Sequence, residues 1–352
     1  MASWKDNVRA VEPYTPGEQP QVKDIIKLNT NENPYPPARG VAEALAAFDA
    51  GRLRKYPTPD ARELVEALSK AYGLPKEDIF VGVGSDDVLA MSFLTFFNSE
   101  KPILFPDVTY SFYDVWADLF KIPYKRVPLQ DDWSVDTDAF CRENGGVVIP
   151  NPNAPTGLLL PLSEIEKILA ANPASVVIID EAYIDFGGES ALPLLSKYEN
   201  LLVVRTMSKS RSLAGSRIGF AFGNPELIRY LWDVRNSFNS YTMDSVTQAV
   251  GAAALADSAY FNDTCAKIIK TRTRFASEMK ELGFTFPESS ANFIFASHPD
   301  VDAAQLFADL KAAGIFVRYF PKGRTRDSLR ITIGTDEEMD RLLAFLKDYL
   351  KK

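Results

Sequence analysis

From Val41 to Gly223, short and almost wholly apolar runs alternate with segments whose apolar residues recur every three or four positions. Runs of this kind suit strands buried on both faces, and the periodic segments suit covering helices, so the pattern predicts an α/β fold with a mostly parallel sheet sandwiched by helices. The expected strands are Ile79–Gly82, Pro102–Phe105, Gly146–Pro150, Ser175–Asp180, Leu201–Arg205 and Arg217–Phe222. Leu64, Val65 and Leu68 mark a helix over Asp60–Tyr72, which Gly73 ends where a left-handed residue is needed. Asp86–Phe97, Tyr110–Phe120 and Ser163–Ala171 read the same way. A stretch from about Ala259 to Leu282 predicts a helix that, at about 1.5 Å per residue, is long enough to link two lobes. After Gly283 the order becomes β-α-β-β-α over Asn292–Ala296, Val301–Ala313, Ile315–Arg318, Ser328–Ile333 and Asp336–Leu350. The expected organisation is an N-terminal arm over residues 1–30 that joins the small domain, a large domain over 31–282 including the long helix, and a small α+β domain over 283–352.

Composition narrows what such a chain does. Its 352 residues are 46% hydrophobic and 24% charged, and 39 Lys+Arg against 47 Asp+Glu leave a net charge of −8. That balance argues against a nucleic-acid or anionic-membrane partner and leaves small molecules. Cys141 and Cys265 lie far apart with no C-x-x-C, which argues against a disulfide scaffold or structural zinc and fits a reducing cytoplasm. The single histidine, His298, has no second histidine for a metal pair and no place in a Ser/His/Asp triad. No metal is expected. The polar, proline-rich amino terminus lacks a signal-peptide core, and Val246–Ala256 falls short of the roughly 20 residues that span a bilayer.

Chemistry gathers at the ends of the expected strands. Lys209 follows Leu201–Arg205, and a lysine at the carboxyl end of a buried parallel strand points into the crevice where open α/β sheets bind ligands. An amine held there is a candidate for imine formation with a carbonyl cofactor, although an isolated S-x-K is more often a solvated helix-start lysine. Thr206, Ser208 and Arg217 would supply the hydroxyls and the cation that a phosphate needs. Asp180 ends an apolar strand, where a carboxylate is costly to bury unless it meets a cation such as a pyridinium N–H; Tyr183 lies three residues on. Asn153, in the turn after Gly146–Pro150, would sit at the same sheet edge. Gly82-Val83-Gly84-Ser85-Asp86-Asp87 lacks the third glycine of the dinucleotide fingerprint, yet the helix start at Ser85 and Asp86 offers free N–H groups to an anion.

Together these segments resemble the fold-type I pyridoxal-phosphate (PLP) aminotransferases, most closely the histidinol-phosphate aminotransferase branch. Leu28-Asn29-Thr30-Asn31-Glu32-Asn33-Pro34-Tyr35 is similar to that branch's N-terminal signature. It is followed in order by Lys55-Tyr56-Pro57, Gly84-Ser85-Asp86-Asp87, Thr109-Tyr110, Asn151-Pro152-Asn153-Ala154-Pro155-Thr156-Gly157, Asp180-Glu181-Ala182-Tyr183, Ser208-Lys209, Leu213-Ala214-Gly215-Ser216-Arg217 and Leu329-Arg330-Ile331-Thr332-Ile333-Gly334. The resemblance covers nearly the whole chain.

It implies that Lys209 is the Schiff-base lysine and general acid/base, Asp180 the pyridinium partner, and Asn153 and Tyr183 the hydrogen-bonders of the cofactor's 3′-oxygen. Tyr110 would stack on the ring, and Ser85, Asp86 through its N–H, Thr206, Ser208 and Arg217 would line the phosphate side. Tyr56 would reach across a homodimer to the partner's phosphate, giving shared active sites. Tyr14, Asn33, Arg318 and Arg330 would bind substrate. Ala154, Lys55 and Ser216 depart from the family pattern at positions given no bond-making role. The implied reaction is transamination between histidinol phosphate and 2-oxoglutarate in histidine biosynthesis, with an aromatic or broad-specificity aminotransferase as the alternative. A PLP-dependent amino-acid-phosphate decarboxylase is a further relative, and a PLP-fold regulator would need an added basic DNA-binding domain.

Overall fold

The computed structural model describes residues 3–20 and 24–351. Its strands, in chain order, are β1 (Ile26–Lys27), β2 (Ile79–Val83), β3 (Ile103–Pro106), β4 (Tyr124–Val127), β5 (Gly146–Pro150), β6 (Val177–Asp180), β7 (Leu201–Thr206), β8 (Ile218–Gly223), β9 (Phe293–Ala296), β10 (Ile315–Phe316), β11 (Arg318–Tyr319) and β12 (Leu329–Thr332). Seven of them form one sheet in the order β2-β8-β7-β6-β5-β3-β4. Every neighbouring pair is parallel except the two that involve β8, which runs against both β2 and β7.

Side chains on a strand alternate between faces, and here each face feeds a separate core. Val148, Ile178, Leu202 and Val204 pack with Val88, Leu89, Phe93 and Trp116 from the helices Ser85–Phe96 and Phe112–Phe120. Val147, Ile149, Val177, Ile179, Leu201 and Val203 pack with Ile165, Ile168 and Leu169 from the helix Leu162–Ala171. Burial on both faces is what makes these strands read as unbroken apolar runs. β4 escapes that pattern because it is a sheet edge, with Lys125 and Arg126 exposed.

A second core gathers around the antiparallel sheet β11-β12-β9 and the parallel pair β1-β10, through which the N-terminal segment joins it. The long helix Ser258–Glu281 lends Cys265, Ile268, Phe275 and Met279 to this core, beside Ile294, Leu306 and Leu342. The expected strand Ile315–Arg318 is in fact two. Ile315 and Phe316 pair with β1, while Arg318 and Tyr319 pair with β12, with Val317 between them. That break places Arg318 directly opposite Arg330. Among the described residues, no helix is long and apolar enough to cross a membrane.

Candidate active site

The carboxyl ends of β2, β3, β5, β6 and β7 open on a cleft of about 420 Å³ whose far wall is the second unit. Because β8 runs backwards, its beginning lies beside those ends, and Arg217 enters the cleft although it precedes a strand. Gly84 has φ +87°, and a Cβ there would strike the Arg217 guanidinium, so the turn from β2 to its helix needs glycine. The helix Ser85–Phe96 starts without a side-chain cap. Its first N–H groups therefore face the cleft as a preformed anion cup. Arg217 Nη2 pairs with Asp86 Oδ2 at 3.0 Å, and Tyr110 donates its hydroxyl to Asp86 Oδ1 at 2.6 Å. Thr206 donates to Ser208 Oγ at 2.9 Å and also receives the Ser208 N–H, which sets the loop that carries Lys209.

Lys209 is half-buried and donates from Nζ to the Thr30 carbonyl at 2.9 Å. Desolvation, with the charge of Arg330, pushes its amine down to about 8. Such an amine has a substantial neutral fraction near physiological pH and is a competent nucleophile and base. Opposite it, Asp180 is 5% exposed, and its carboxyl is pushed up to about 6 by desolvation, against the opposing effect of its hydrogen bonds. Its partners are neutral: the Tyr113 hydroxyl at 2.8 Å and the Ala182 N–H at 3.2 Å. A ring N–H carrying positive charge would complete this site. Desolvation raises the pKa of Tyr183, partly offset by Arg330, so the phenol stays protonated.

On the second unit's wall, Arg330 donates from Nη2 to the Asn29 carbonyl at 2.9 Å, while its Nε is shut from solvent and has no hydrogen-bond partner among the described residues. Arg318 donates to the Thr15 and Pro16 carbonyls, at 3.1 and 3.4 Å. Two guanidinium groups facing each other across neighbouring strands repel unless an anion lies between or beyond them. Tyr14 completes this corner, stacked on Phe112 at 4.1 Å between centroids.

The cleft thus gathers Tyr14, Ser85, Asp86, Tyr110, Asp180, Tyr183, Thr206, Ser208, Lys209, Arg217, Arg318 and Arg330. Three expected residues stand elsewhere. Asn153 is not on the cleft wall: its amide donates to the Val108 carbonyl and to Thr156, and its oxygen accepts from Thr109. The loop needs all of that side chain, and the neighbours that reach the cleft are Ala154 and Pro155. Asn33 is turned beneath the lysine, donating to the carbonyls of Lys209 and Ser210 at 3.1 and 3.3 Å, so it supports that loop instead of facing substrate. Tyr56 is 82% exposed and stacks on Tyr241. Two residues with no role assigned from sequence also matter here: Tyr113, which orients Asp180, and Asn31, which donates to Tyr183. Asn31 lies within the N-terminal signature, and that placement was the only signal for it.

Residues 23–346 match the family described as aminotransferase class I and II. The chain belongs to that family and is an aminotransferase. It is 54% identical to the histidinol-phosphate aminotransferase of Lactococcus lactis subsp. cremoris (strain MG1363), over 99% of this chain and 98% of that protein. It is 52% identical to the histidinol-phosphate aminotransferase of Clostridium acetobutylicum, over 98% of each. The structure of histidinol-phosphate aminotransferase from Sinorhizobium meliloti in complex with pyridoxal-5′-phosphate is similar with a TM-score of 0.84, at 26% identity, over 93% of this chain and 91% of that one.

Proposed function

We propose that the chain is a pyridoxal-phosphate-dependent histidinol-phosphate aminotransferase, working as a cytoplasmic homodimer with 2-oxoglutarate as the amino acceptor. The observation that carries the substrate choice is the facing pair Arg318 and Arg330 on the cleft wall, the second with a buried Nε that has no partner among the described residues. Histidinol phosphate has no α-carboxylate, so a phosphate dianion must supply most of its binding energy, and planar guanidinium forks suit that group.

The residues present fit the cofactor. Pyridoxal phosphate, when bound, supplies a carbonyl and an electron-withdrawing ring. The N–H groups of Ser85 and Asp86, the Ser208 hydroxyl and Arg217 would hold its phosphate, and Tyr110 would cover its ring. Asp180, costly as an isolated buried anion, would accept a ring N–H and regain its ionised form. Tyr183 presents a neutral phenol, a donor for a ring oxygen. Lys209 Nζ, with its lowered pKa, is the amine that would hold the cofactor covalently, and as a free amine it would take a proton from the α-carbon of the amino donor.

The reading of Tyr56 as a residue that serves the partner's site is supported by the 82% exposure of this large aromatic side chain, which stacks on the half-exposed Tyr241. The two free cysteines suit a reducing compartment.

A substrate panel tests the reading. With 2-oxoglutarate as acceptor, kcat/KM for histidinol phosphate should exceed that for phenylalanine, tyrosine and aspartate. Arg318→Ala should lower it by more than tenfold, in line with losing about 1.5–3 kcal/mol from a charged hydrogen bond, with a smaller effect on phenylalanine. A wild type that prefers phenylalanine, or an equal loss for both donors, favours the aromatic aminotransferase instead.

A further inference from the structure

The oxygen of Tyr183 has one hydrogen-bond partner among the described residues, and that partner is a donor: Asn31 Nδ2, at 3.0 Å. A phenol that already receives an N–H keeps its own proton for another acceptor, and the open side of this one is the cleft. The direction of the Asn31 amide is itself determined. Thr332 Oγ1 receives the Asn31 backbone N–H at 3.1 Å, which leaves its hydroxyl proton for Asn31 Oδ1 at 2.9 Å and turns Nδ2 towards Tyr183. The Asn31 carbonyl is taken by Asn292 Nδ2 at 3.0 Å, so every polar group of this 1% exposed residue is bonded. Its φ of 56° lies in the left-handed region that asparagine tolerates better than most residues.

The result is a one-way series of donors, from Thr332 to Asn31 to Tyr183 to the cleft. It starts on β12 in the second unit and ends on the large sheet's side of the cleft. On the wall around Tyr183 the neighbouring side chains, Ala154, Pro155 and Ala182, carry no donor of their own.

We propose that Asn31 is a positioning residue that turns the Tyr183 hydroxyl outward as a donor to the cofactor's ring oxygen, with Thr332 setting its direction from the small unit. This rests on the reading of the cleft as a pyridoxal-phosphate site. A donor held against a negatively charged ring oxygen stabilises the form with more negative charge, and so lowers the pH at which the cofactor-bound enzyme's visible absorbance changes. The charged groups around the phenol are Lys209, 5.8 Å from the ring centre, Arg330, Asp180 and Asp86. None of them is altered by changing Asn31 or Thr332.

The test is a pH titration of the visible band of the holoenzyme. Asn31→Gly keeps the left-handed backbone accessible and removes the amide without adding charge. It should raise the midpoint by about one pH unit, the size a hydrogen bond to a charged oxygen commands. Thr332→Val should move it in the same direction by less, and guards against a glycine variant that fails to fold. In a Tyr183→Phe background, Asn31→Gly should add no further shift. Unmoved midpoints in both single variants with the band retained, or an equal Asn31→Gly shift with and without the phenol, would overturn the inference. A wild type that shows no such band with pyridoxal phosphate would instead overturn the site reading beneath it.

Discussion

Asp180 and Lys209 carry opposite costs of burial. Each is held where its charged form is disfavoured, the carboxyl up at about 6 and the amine down at about 8. For Asp180 the folded value lies above the unfolded 3.8, so the folded state holds its proton longer. The resulting penalty is absent below about pH 4, grows as pH rises towards 6, and is constant above that. Asp180→Asn removes the charge, and its amide can present its oxygen to the Ala182 N–H and its amino group to the Tyr113 oxygen. Above pH 6 the cofactor-free variant should be more stable than wild type, by at most about 3 kcal/mol, while transamination falls by orders of magnitude. Paired thermal melts and turnover assays check this; near-normal activity with cofactor bound would remove Asp180 from the mechanism. For Lys209, only the neutral amine attacks a carbonyl. Covalent capture of pyridoxal phosphate by the cofactor-free protein should rise about tenfold per pH unit below 8 and level off above it.

The reversed strand β8 is the element that completes the anion cup. Its Gly219 lies against Gly84 and Ser85, and a Cβ there would collide with their backbone. Gly219→Ala should push the start of the helix Ser85–Phe96 away from Arg217, cost about 1–3 kcal/mol as an overpacked site, and weaken cofactor binding at least tenfold by equilibrium titration. An alanine variant with wild-type affinity would mean that the cup is looser than the packing implies.

The sheet's core strands were legible in the sequence because burial on both faces leaves an unbroken apolar run. β4 was not, since an exposed edge needs no apolar residues on its outer positions. The division between β10 and β11 also escaped, because partner choice at Val317 depends on β1 and β12, which are remote in sequence. At the site, Lys209, Asp180 and Arg217 could be placed by the strands they adjoin. Asn153 could not: in a tight turn a shift of one residue exchanges the cleft wall for the loop interior, and only the bonds to Val108, Thr109 and Thr156 decide which residue faces in. Asn33 likewise looked like a substrate ligand until the carbonyls of Lys209 and Ser210 claimed its amide.

For the whole molecule, the proposed homodimer would have the exposed Tyr56 serve the partner's cleft. Tyr56→Ala and Lys209→Ala chains, each inactive alone, should regain part of the activity when mixed, because a hybrid dimer holds one site with both wild-type residues. No recovery after confirmed subunit exchange would count against sharing. The joining of arm, large sheet and small unit around one lysine is tested most directly by borohydride reduction of the holoenzyme, followed by mass spectrometry of its peptides. The expected result is loss of the visible band and a reduced cofactor adduct on Lys209. An adduct on any other lysine, or loss of the band with Lys209 unmodified, would contradict it.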